Sequence, residues 1–71
     1  MKLTHQQAEK LLRGNHTFSQ LGFSMMLTRL KGMYANDPSQ EVLQSAAGEM
    51  NAFISKFEKI MAKDCLIISE L

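Results

Sequence analysis

From Leu43 onward the apolar residues recur at alternating steps of three and four, through Ala46, Met50, Phe53, Phe57 and Ile60 to Ile67 and Leu71, with Asp64 as the one polar member of the series. Only a helix brings residues at that spacing onto one face, because a half-buried strand would alternate by two. Ala47, Ile54, Met61 and Ile68 follow every second seam position. The stripe thus has the width of a bundle helix rather than the narrow seam of a two-stranded coiled coil.

Two shorter helices precede it. Thr4 is suited to cap a helix, Gln7 stands three residues on as its capping-box partner, and Leu3 and Ala8 occupy the staple positions. This predicts a helix over about 5–13 with an apolar edge of Ala8, Leu11 and Leu12, ended by a left-handed Gly14-Asn15 pair. Thr17 and Gln20 repeat the start signal, and Phe23, Met26, Leu27, Leu30 and Tyr34 follow at helical spacing, predicting a second helix over about 18–34. Phe18, Leu21, Met25 and Met33 widen its stripe, so this helix is expected to be largely enclosed. Asp37 as cap and Pro38 at the first helical position then open the long third helix, over about 38–70, with a break near 63–66 left open.

The fold expected is therefore all-α: one domain, residues 1–71, with a short, a medium and a long C-terminal helix forming a helical hairpin or bundle completed by dimerisation. Its 71 residues make a core of marginal self-sufficiency, which a disulfide, a metal or a partner chain usually supplements. The lone Cys65 cannot close an internal disulfide. A partner is the option left. At 1.5 Å per residue the second helix is about 25 Å long and the third about 50 Å, so the shorter covers only the third helix's first half. Phe53, Phe57, Ile60, Met61, Ile67, Ile68 and Leu71 are the expected interface, covered by a second copy or by another protein. The competing arrangement has the tail after Lys63-Asp64 fold back as a short fourth element and close a monomer.

A secondary candidate surface comprises Met25 and Met33, which lie off the main stripe of their helix, and the small residues Gly48, Ala52 and Ser55 opposite the main seam of the third. Asp64 has two readings on a long helix: a register-setting polar residue in a seam, or one that helical drift has rotated to solvent.

Enzyme chemistry finds no foothold. His5 and His16 lie far in sequence from Cys65, and His5 with Glu9 is too small a set for a metal. Gly14, Gly22, Gly32 and Gly48 are dispersed rather than gathered into a phosphate-binding loop. No cofactor is expected. Eight Lys and Arg against seven Asp and Glu leave no field that would gather nucleic acid or an acidic membrane surface. No apolar run reaches the roughly 18–20 residues of a membrane span, and the N-terminus lacks the apolar core of a signal peptide. A soluble, unprocessed cytoplasmic protein is the expectation. Its expected role is a small interaction module, a homodimer serving as regulator, inhibitor or accessory subunit by binding another protein. The rival reading is a helix-turn-helix-like DNA-binding regulator formed by the first two helices, against which stands the shortage of basic residues on the second.

Overall fold

The computed structural model describes residues 2–57 and 62–71, with Phe57 described by its backbone alone. Four helices follow in chain order among these residues: α1 (His5–Arg13), α2 (Leu21–Asn36), α3 (Gln40–Phe57) and α4 (Ala62–Ser69). No strand occurs among them. The all-α class expected from the spacing is the observed one.

Helix α1 begins where its local code places it. The Gln7 amide donates to Thr4 Oγ1 at 3.1 Å, and the Thr4 amide donates to Gln7 Oε1 at 2.9 Å, so two helix-start donors are satisfied reciprocally. Ala8, Leu11 and Leu12 are buried, and Leu3 enters the same core. The preceding strap is pinned across the fold: the Leu3 amide donates to Asn51 Oδ1 at 2.6 Å, and Asn51 Nδ2 donates to the Leu3 carbonyl at 3.2 Å. The exit from α1 departs from expectation. Gly14 is extended, at φ −92° and ψ −179°, and no described residue has positive φ. Glycine serves here through its size, since a Cβ would stand 2.9 Å from the Lys10 carbonyl oxygen and 2.8 Å from His16 Cε1. Lys31 reaches across from α2 and donates to the Gly14 carbonyl at 2.6 Å.

Helix α2 starts at Leu21, later than the Thr17 signal predicts, and Gln20 at its cap position makes no side-chain capping bond. The local cap is displaced by a remote one. Asp64 accepts from the Ser19 amide at 2.8 Å, from Ser19 Oγ at 2.8 Å and from the Gln20 amide at 3.0 Å. This holds residues 19 and 20 outside the helix and leaves Phe18 buried ahead of it, edge-on to Phe23 with ring centroids 4.8 Å apart. Inside α2, Phe23, Leu27, Leu30 and Tyr34 form the buried face at steps of four, three and four.

Helix α3 begins after Pro38 rather than at it. Ser39 Oγ accepts from the Val42 amide at 3.2 Å and takes the capping role expected of Asp37. Leu43, Ala46, Ala47, Met50 and Ile54 face inward, and Phe53 meets Phe23 edge-on with centroids 5.5 Å apart. The three helices pack pairwise on one another.

The single long third helix is corrected by the dimensions of the fold. A helix over 38–70 would span about 50 Å, whereas the longest extent of the molecule is 32 Å. α3 and α4 are separate elements, and α4 turns Asp64 and Ile68, one turn apart, into the interior. Among the described residues, the fifteen buried apolar side chains, from Leu3 to Ile68, belong to one core cluster. Residues 63–66, where a break was left open, lie within α4.

Candidate interaction surface

A 16-residue helix with one face in the core presents its other face to water, and α2 is apolar on both. Opposite Phe23, Leu27, Leu30 and Tyr34 lie Leu21 and Met25, one turn apart, which are 70% and 65% exposed. Met33 continues the outer side at 44% exposure. Between them is Gly32, where a Cβ would meet nothing within 4 Å. The charge on this side is neutralised: Arg29 donates to Glu49 Oε2 of α3 at 2.6 Å, and its Nη1 lies 3.7 Å from the Met33 sulfur. The helix expected to be enclosed therefore carries three of the four large apolar side chains exposed among the described residues, and Leu21 belongs to its outer side rather than to the core. Leu66, 64% exposed on the outer side of α4, is a further large apolar side chain in contact with water.

The residues expected at a C-terminal interface are placed otherwise. Ile68 is fully buried, while Phe53, Ile67 and Leu71 are half-buried against the core of their own chain. Ile60, Met61 and the side chain of Phe57 lie outside the described residues. Of the secondary set, Met25 and Met33 stand on the apolar face of α2, and Gly48, Ala52 and Ser55 are exposed along α3. Leu21 and Leu66 are the members that sequence reasoning did not single out. The available signal for Leu21 was its position one turn before Met25, on the side of the helix away from Phe23.

Titratable groups cluster in two places. Glu9 Oε2 accepts from the Tyr34 hydroxyl at 2.7 Å and from Arg13 Nε at 3.3 Å, and Arg13 Nη2 donates to the Tyr34 oxygen at 3.2 Å. The Tyr34 hydrogen bond holds the Glu9 carboxyl below its ordinary value; partial desolvation opposes this and Arg13 adds to it. Tyr34 and Glu9 together hold the Arg13 guanidinium above its usual range. The guanidinium also lies 5.3 Å from the Tyr34 ring centroid. This trio joins α1 to the end of α2. Glu9 therefore has structural partners rather than a shared ligand with His5.

Asp64 is the second. Desolvation pushes its carboxyl up, but the hydrogen bonds from the Ser19 and Gln20 amides and the Ser19 hydroxyl outweigh it, and the net shift is downward. At 1% exposure it neither sets a coiled-coil register nor faces solvent, the two roles open to it on a long helix. It caps the approach to α2. His16 Nδ1, near the end of α1, is buried without a hydrogen-bond partner. Among the described residues no three His, Cys, Asp or Glu side chains gather as a metal site, and no helix is long and apolar enough to cross a membrane. Comparisons with protein families, with curated proteins and with solved structures returned no significant match.

Proposed function

We propose that this chain is a small non-enzymatic interaction module that binds protein through the outer face of α2. The exposure of Leu21 and Met25 carries the reading: large apolar side chains one turn apart, with no unpaired charge among them, favour a surface that also excludes water. A second copy is the simplest occupant, since an apolar helix face is self-complementary about a two-fold axis. Regulator, inhibitor and accessory subunit are the roles such a module can fill in turn. Methionine supports this, because its flexible thioether adapts to different partner shapes. The DNA-binding alternative has less behind it. Residues 14–20 separate α1 from α2, where a helix-turn-helix uses a turn of about three or four residues, and the outer face of α2 offers Leu21, Met25 and Met33 where base readout would need polar side chains.

The test is the oligomeric state of the wild type and of a Leu21→Glu, Met25→Glu double variant, measured by sedimentation across a concentration series with circular dichroism as the folding control. Self-association in the wild type and its loss in a variant of unchanged helicity is the expected result. A wild type that stays monomeric at high concentration would remove the homodimer, and an equal mass for both proteins would remove the α2 face.

A further inference from the structure

The four helices are not equally committed to the core. α1, α2 and α3 each pack extensively on the other two, while α4 has no comparable contact with any one helix among the described residues. Its fully buried side chains are Asp64 and Ile68 alone, with Cys65, Ile67 and Leu71 resting against the cluster from the side. Eight residues are too few to hold a helix in isolation, so α4 owes its shape to its seat. That seat is unusual in chemistry. The principal polar contact of α4 is made by one carboxylate, and all three of its donors come from two consecutive residues of the α1–α2 connection, Ser19 and Gln20. A further bond, from Lys10 Nζ to the Leu71 carbonyl at 2.6 Å, is exposed and exchanges readily with water. No Lys, Arg or His pairs with Asp64 among the described residues, so the carboxylate depends on these donors for its stabilisation.

We infer that α4 is a releasable strap on a three-helix body, with the Asp64 carboxylate as its latch. Elements with few buried contacts open locally at lower free energy than the core on which they rest. When the carboxylate leaves Ser19 and Gln20, both the latch and its donors regain hydration, and what still holds the segment is chiefly the burial of Ile68, with the partial contacts of Cys65, Ile67 and Leu71. Opening turns the inner sides of Ile67, Ile68 and Leu71 to solvent. These residues carry the apolar spacing of the last third of the sequence, and in the closed form their own core covers them. Release would therefore convert a closed globule into one with a second apolar surface. This goes beyond the α2 surface and does not depend on it.

Native-state amide hydrogen exchange under increasing sub-denaturing urea tests the strap. The Ile68 amide is expected to exchange at least tenfold faster than those of Leu30 and Met50 and with a much shallower urea dependence, because a local opening exposes little surface. Asp64→Asn is expected to speed Ile68 exchange at least a further tenfold while the body of α1, α2 and α3 remains folded. Ser19→Ala, which removes one of the three donors, should speed it several-fold. One common rate and urea slope for Ile68, Leu30 and Met50 would overturn the proposal, and so would Ile68 exchange that neither variant changes. An Asp64→Asn chain that does not fold at all would also overturn it, since loss of a strap leaves the body intact.

Discussion

Asp64 shows how a single charged residue can be stable in an interior. Burying a carboxylate costs several kcal/mol unless its lone pairs are satisfied, and here two backbone amides and a hydroxyl satisfy them at 2.8–3.0 Å. Replacing Asp64 by Ala removes the acceptor these three donors share and is expected to destabilise the chain by about 2–4 kcal/mol at neutral pH. The pH dependence follows from the direction of the shift. A carboxyl lowered in the folded state contributes stability that is complete above its unfolded value of about 3.9 and disappears as pH falls through the lower folded value. Urea denaturation of wild type and Asp64→Ala at a series of pH values should show a gap that is constant above about pH 5 and narrows in acid. A gap independent of pH down to 2 would show that the charge contributes nothing. The comparison must be made as a difference, because Glu9 is lowered as well, by Tyr34 first and Arg13 after it, and titrates in both proteins.

At the scale of the element, each helix start was legible to the extent that its donors are met locally. Thr4 and Gln7 meet their own needs within one turn, and α1 begins after Thr4 as its capping box requires. Thr17 offers the same signal without result, because a carboxylate satisfies the Ser19 and Gln20 amides more strongly than a neutral side chain can. At α3 the cap passed from Asp37 to Ser39, a shift of the size at which helix boundaries commonly blur. Helix interiors yield a further prediction. Gly32 lies within α2 with nothing within 4 Å of an added Cβ. Gly32→Ala should therefore raise stability by about 0.5–1 kcal/mol by restricting the unfolded chain, read as a higher urea midpoint at constant slope. Gly22→Ala is the contrast, since its Cβ would stand 3.1 Å from Phe53 Cζ and press on the Phe23–Phe53 pair. Its gain should be smaller or reversed.

Across the whole molecule, one cluster drawn from all four helices does the work of a core in 71 residues. Domains of this size have total stabilities of about 4–10 kcal/mol. Phe23 is at its centre, fully buried and edge-on to both Phe18 and Phe53. Phe23→Ala is expected to cost about 3–5 kcal/mol, leaving a chain that is largely unfolded or melts well below the wild type by circular dichroism. Near-wild-type melting of that variant would show that the cluster repacks.

Local pattern in the chain is enough to specify that it is helical, where α1 begins, and which sides of α2 and α3 turn inward. Phe23, Leu27, Leu30 and Tyr34, and Leu43, Ala46, Ala47, Met50 and Ile54, are buried where their spacing places them. That information is local, because caps and a period of 3.6 residues are complete within a few turns of chain. That the last helix is a separate short element, that Leu21 faces water and that Asp64 caps the approach to α2 depend on contacts between distant parts of the chain. The donors and acceptor of that cap are 44 and 45 residues apart in the chain. Spacing brings a residue to a face of its own helix, but which face meets the rest of the molecule depends on where distant residues come to lie.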